Sequence, residues 1–137
     1  MPSVSVWMIR LSLVYLLMGI TLGVLLLINK AILISPELML LLPVHIELLI
    51  FGWIIQFTLG TAYWILPRYL ISKDRGSSAL ALLMPIFLNI GIWMVLVSNA
   101  GEQMNFLALY GRIAELLAVL FFVILHWNRV GALKKAA

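Results

Sequence analysis

The 137-residue chain contains no cysteine. That excludes disulfides, thiolate metal sites, iron–sulfur clusters and covalent c-type heme attachment. Charge is nearly as scarce: Asp, Glu, Lys and Arg make up 10% of the chain, against roughly a quarter in soluble domains. Histidine occurs only twice. Apolar residues take 65% and run along the whole length, so a water-soluble globular domain is excluded and a lipid bilayer is the expected solvent. Nine basic residues outnumber five acidic ones, but the bases sit mostly beside hydrophobic segments. They read as membrane-topology signals, and no nucleic-acid surface is expected.

Four hydrophobic stretches, near 8–29, 39–66, 79–99 and 104–127, each reach the roughly 20 residues a membrane-crossing helix needs. Asn29-Lys30 and Ser35-Pro36-Glu37 separate the first two. Pro67-Arg68 and the polar run Ser72-Lys73-Asp74-Arg75-Gly76-Ser77-Ser78 separate the second from the third, and Asn99-Ala100-Gly101-Glu102 precedes the fourth. The short connections predict antiparallel neighbours and one domain, residues 1–137, an all-α integral membrane four-helix bundle. Arg10, Arg68, Lys73, Arg75, Arg129, Lys134 and Lys135 gather on one side, whereas Lys30, Glu37 and Glu102 fall on the other. The positive-inside rule then places both termini in the cytoplasm. No small-residue cleavage site follows residues 11–29, so the first stretch reads as a retained helix.

The ionisable residues inside these stretches are His45, Glu47, Arg112, Glu115 and His126. Such groups are costly in hydrocarbon and tend to face the bundle interior, where they pair or bind something. At 100° per residue, Gly52, Gln56 and Tyr63 fall within about 20° of His45 around a helix. One stripe thus carries an imidazole, a missing side chain, an amide and a phenol. A neutral imidazole is a good ligand for heme iron, and a glycine two turns along would let a flat macrocycle lie against the backbone. Gln56 and Tyr63 would hold waters or protons further in. The competing reading is a polar stripe that only ties helices together by hydrogen bonds. Trp53 lies too deep for an interfacial anchor, so it packs against a helix or a cofactor.

Depth narrows the pairings. At 1.5 Å per residue, His45 lies roughly 9 Å below the outer surface, and Glu47 and Arg112 both roughly 12 Å below it. Glu47 and Arg112 are therefore level, which suits a buried interhelical ion pair. Arg112 and Glu115, three residues apart, also suit a pair within one helix. In the alternative, Arg112 turns to an anionic group such as a heme propionate near His45. His126 lies roughly 24 Å deeper than His45, so the two cannot share one iron within one chain. Beside Trp127 and Arg129, it reads as a residue of the cytoplasmic interface. Gly19-Ile20-Thr21-Leu22-Gly23 is a GxxxG pattern, which helix packing explains.

The segments Arg10-Leu11-Ser12-Leu13-Val14-Tyr15-Leu16-Leu17-Met18-Gly19 with Gly23, and His45 followed by Phe51-Gly52-Trp53, Gly60, Tyr63 and Pro67-Arg68, carry a family resemblance. They resemble the opening helices of heme-copper oxidase subunit I, especially on the nitric oxide reductase side of that superfamily. The resemblance covers about half the chain and rests on short, partly glycine motifs. It implies that His45, which matches in order, side and depth, ligates a low-spin heme. The family's catalytic subunits have many more helices and histidines, and their second low-spin ligand comes from a later helix that has no counterpart here. Oxygen or nitric oxide reduction by a single chain is therefore not expected. Their arcs of four helices around a pseudo-threefold axis make self-association of a four-helix chain a natural analogy.

The expectation is thus a small membrane protein binding heme b noncovalently and working in electron transfer. His45 is the metal ligand, Gly52, Trp53, Gln56 and Tyr63 line the cofactor face, and Arg112 is the propionate partner. The surroundings are lipid, in a prokaryotic inner membrane. The protein is a homo-oligomer, dimer or trimer, or a subunit of a respiratory complex. A cofactor-free accessory or assembly subunit is the main alternative. A proton-conducting helper using Glu47, Gln56, Tyr63 and Glu115 is another.

Overall fold

The computed structural model describes residues 1–66, 77–99 and 105–132, with side chains described as far as Trp127 in the last segment. Four helices make up the described residues: α1 (Ser3–Ile32), α2 (Pro36–Ile65), α3 (Ser78–Ser98) and α4 (Asn105–Ala132). All four are long and apolar enough to cross a membrane. Each lies over one of the four expected stretches, α1 beginning several residues earlier than expected. Pro67, Arg68, Lys73, Arg75, Glu102, Met104, Lys134 and Lys135, on which part of the topology argument turned, lie outside the described residues, as does the Arg129 side chain.

Local chemistry explains where the helices start and stop. Proline at the first position opens α2, where its missing N–H has no helical partner to lose. Ser77 caps α3, its hydroxyl accepting from the Leu80 N–H. The C-terminus of α1 is closed by Leu33 in the left-handed conformation, φ 49° and ψ 59°, with its N–H donating to the Asn29 carbonyl. The buried Asn29 side chain accepts from the Ser35 N–H at 2.8 Å and ties the turn back onto the helix. Inside α3, Pro85 cannot donate to the preceding turn. Asn89 lies one turn further on, and its amide donates to the Pro85 carbonyl at 2.8 Å.

The α2 helix is not uniform. It begins as a 3₁₀ turn (Pro36–Leu41), becomes α-helical over Leu42–Glu47, widens into a π-helical stretch over Leu48–Ile55, and returns to α-helix over Gln56–Ile65.

The helices form two antiparallel hairpins, α1 with α2 and α3 with α4. In the second, the backbones approach closely at a glycine pair. A Cβ on Gly91 would lie 2.7 Å from the Gly111 carbonyl oxygen, and one on Gly111 would lie 2.9 Å from that of Gly91. The hairpins share one core, drawn from all four helices: Met8 and Tyr15, Leu48 and Leu59, Met84, Leu88, Ile92 and Leu96, and Ala118. The Tyr15 hydroxyl crosses from the first hairpin to the second and donates to Asn89 Oδ1 at 2.8 Å. Large apolar side chains such as Leu17, Leu27, Ile54, Trp93 and Leu116 remain on the outside.

Candidate functional site

His45 is held by the two glycines of the α1 GxxxG pattern. Its Nδ1 lies 2.8 Å from the Gly19 carbonyl oxygen. A carbonyl oxygen only accepts, so Nδ1 carries a proton and donates it, which leaves Nε2 as the ring nitrogen available to a further partner. One turn along, the ring edge sits over Gly23, where an added Cβ would be 2.7 Å from Cε1. Helix packing at the pattern was expected; its particular use, to seat and orient the imidazole of α2, was not. A backbone carbonyl on one ring nitrogen is the arrangement that fixes the tautomer of ligating histidines.

The half-buried ring forms part of a groove of ≈ 400 Å³ between α1 and α2, lined by Gly23, Leu26, Leu27, Lys30, Met39, Leu42 and His45. Its wall is apolar except for the imidazole and the Lys30 ammonium. Lys30 had entered the sequence argument only as a topology charge, because nothing in the sequence sets the register of α1 against α2. A second groove, ≈ 450 Å³, runs past Asn89, Ile90, Trp93, Met94, Val97 and Leu107. It presents no titratable side chain, so its size does not make it the chemical site.

The rest of the stripe faces the protein interior. The space beside Gly52 is filled by Tyr15, whose Cγ would be 2.7 Å from an added Cβ. Gln56 is fully buried, and its amide donates to the Met8 carbonyl at 3.3 Å, leaving Oε1 without a hydrogen-bond partner among the described residues. Tyr63 is buried at the far end, its ring edge-on to His126 at 5.7 Å between centroids. The phenol is therefore grouped with the second histidine. Trp53 is half-buried on the π-helical stretch. His45 and Gly52 both face α1, as does Gln56, but only His45 opens onto the groove.

Arg112 reaches both carboxylates. Its guanidinium contacts Glu47 Oε2 at 2.6 Å and Glu115 Oε2 at 2.8 Å, and it lies over the Phe51 ring at 4.7 Å from the centroid. The level placement of Glu47 and Arg112 is realised as an ion pair, and so is the pairing with Glu115. With both of its edges engaged, Arg112 has no arm turned to the His45 groove.

His126 is buried beside Tyr63, with Nδ1 2.8 Å from the Phe122 carbonyl. Tyr63 follows His45 by 18 positions on α2, about 27 Å along a helix, so the two histidines occupy opposite ends of the bundle. Among the described residues, no three His, Asp or Glu side chains gather as a metal cage. A heme iron needs only one or two axial ligands from protein, and a single oriented imidazole meets that requirement. Compared with family models, with curated proteins and with solved structures, the chain has no match.

Proposed function

We propose that this chain is a small integral membrane protein that binds heme b noncovalently through His45 and serves in electron transfer. The observation that carries the reading is the orientation of the imidazole. Nδ1 is committed to the Gly19 carbonyl, which leaves Nε2 as the nitrogen for a ligand, and the residue lines an apolar groove. Lys30 on the same wall offers a cation for a carboxylate-bearing ligand. What supports the group is one nitrogen donor oriented by the Gly19 carbonyl, one ammonium, and an apolar groove of ≈ 400 Å³ that both border. When bound, heme supplies a one-electron couple, and His45 sets its axial field.

In this reading the loops bearing Arg68, Lys73 and Arg75 and the C-terminal Arg129, Lys134 and Lys135 lie on the cytoplasmic side of a prokaryotic inner membrane, with both termini. His45 then lies toward the outer face. Because His126 sits at the opposite end, a second imidazole on the same iron comes from His45 of a second copy. Two-fold symmetry would place it at the same depth. The protein acts as a homo-oligomer of this kind, and the likeness of its first two helices to heme-copper subunit I supports the same role for His45.

The covering of Gly52 by Tyr15 and of Gln56 by α1 favours a second reading, a cofactor-free accessory or assembly subunit in which the stripe serves packing alone. Paired variants separate the two. Protein purified from heme-replete cells should lose its pigment in His45→Ala and keep it in His126→Ala. Equal loss in both variants would refute the single site at His45, and folded wild-type protein without pigment would support the accessory reading.

A further inference from the structure

Glu47, Arg112 and Glu115 form a cluster whose charges do not balance. One guanidinium stands against two carboxylates, and both carboxylates are 2% exposed. Each spends Oε2 on Arg112 and leaves Oε1 buried without a hydrogen-bond partner. Glu115 also occupies a place the backbone keeps open for it, since a Cβ on Gly91 would fall 2.7 Å from its Cγ. Glu47, from α2, and Glu115, from α4, meet on the same guanidinium, at 2.6 Å and 2.8 Å. With both carboxylates ionised, the cluster would bury one uncompensated negative charge in a segment apolar enough to span a membrane. Low-dielectric surroundings penalise that state heavily, and a neutral acid avoids it.

The charged groups that face Glu115 from its surroundings are few. Arg112 lies on its own helix and Glu47 on α2. The α3 helix, which packs along α4, contains no titratable side chain over Ser78–Ser98. On α1 the candidates are Arg10, Tyr15 and Lys30. Arg10 is exposed, Tyr15 is bonded to Asn89, and Lys30 borders the His45 groove. A metal cation is poorly matched to the cluster, because calcium-type ions take six to eight oxygens and only two are free here.

We propose that the Glu47–Arg112–Glu115 cluster is an intramembrane proton-binding site that holds one proton at neutral pH, on Glu115, the carboxylate farther from the guanidinium (2.8 Å, against 2.6 Å for Glu47). Arg112 and Glu47 then balance each other, and the protonated Oε1 of Glu115 gains a donor where the ionised form has only acceptors. The proton is exchanged with bulk water; one O–H bond forms or breaks, and nothing is oxidised or reduced. The site is independent of heme, and its test needs no pigment.

The experiment is infrared difference spectroscopy of the purified full chain in detergent, in light and heavy water. At neutral pH the wild type should show the C=O stretch of one buried protonated carboxyl. That band should be absent from Glu115→Gln and retained in Glu37→Gln, which alters an exposed carboxylate on the opening turn of α2. Glutamine mimics the neutral acid, so Glu115→Gln should also keep the wild-type thermal midpoint. No protonated-carboxyl band at neutral pH in the wild type would overturn the proposal, and so would a band that survives in Glu115→Gln. If that variant does not fold, an alkaline titration of the wild type decides: the band must be present at neutral pH and vanish as pH rises. A wild-type midpoint that rises with added sodium or potassium would make the ligand a metal cation and equally overturn it.

Discussion

One methyl group at Gly23 tests whether the GxxxG pattern exists to seat His45. In Gly23→Ala the new carbon would start 2.7 Å from Cε1, 3.3 Å from Nδ1 and 3.5 Å from Nε2 of the ring. Ordinary carbon contacts begin near 3.4 Å, so the ring must withdraw by about 0.7 Å, a distance set by van der Waals separation. It cannot do so freely, because Nδ1 is bonded to the Gly19 carbonyl at 2.8 Å. Overpacking of this kind costs about 1–3 kcal/mol, and loss of the hydrogen bond adds about 1 kcal/mol. The better helix propensity of alanine returns up to about 1 kcal/mol. The net expectation is a loss of about 1–3 kcal/mol in unfolding from detergent, together with weakened pigment binding as the imidazole leaves its seat. Gly19→Ala is the control. There the new carbon meets Leu49 Cδ2 at 2.5 Å and Cγ at 2.9 Å and none of its nearest contacts is the imidazole, so stability should fall as well but the pigment should be kept. Gly23→Ala protein with wild-type stability and wild-type pigment would refute the reasoning.

Arg112→Leu leaves the buried Glu47 carboxylate without its cation. Breaking a fully buried pair costs about 3–5 kcal/mol. Because the Arg112 side chain is 46% exposed, the loss should be nearer about 2 kcal/mol by chemical unfolding, and Arg112→Lys should fall between it and the wild type. Leu33→Gly should raise stability by about 1 kcal/mol in the same assay, since it relieves a left-handed conformation that leucine adopts at a cost. An unchanged or lowered stability would show that the turn holds Leu33 by contacts worth more than its strain.

What could be read from the residues was what depends on distance along one helix. Counting 1.5 Å per residue placed Glu47 level with Arg112, and the ion pair is there. The four long apolar stretches and their antiparallel order followed from hydropathy and short connections. What depends on the register between helices was not legible. Gly52 was marked as open space, but only the pairing of α1 with α2 shows that Tyr15 fills it. The same pairing turned Gly19 and Gly23 from a general packing pattern into the seat of one imidazole, and it brought Lys30 beside that imidazole. Tyr63 was assigned to the His45 stripe by its angle around the helix, but it follows His45 by 18 positions along α2 and ends beside His126. Gly91 drew no notice because its role appears only where α3 crosses α4 at Gly111.

The central claim is that His45 holds a noncovalent heme, and the visible absorption spectrum of purified protein, taken with its heme-to-chain ratio, tests it most directly. The account predicts a Soret band from acid-acetone-extractable heme b and one heme for each pair of chains, in a particle at least dimeric in detergent. One five-coordinate heme in every monomer would contradict the shared-ligand arrangement, and a colourless, folded preparation from heme-replete cells would contradict the claim itself.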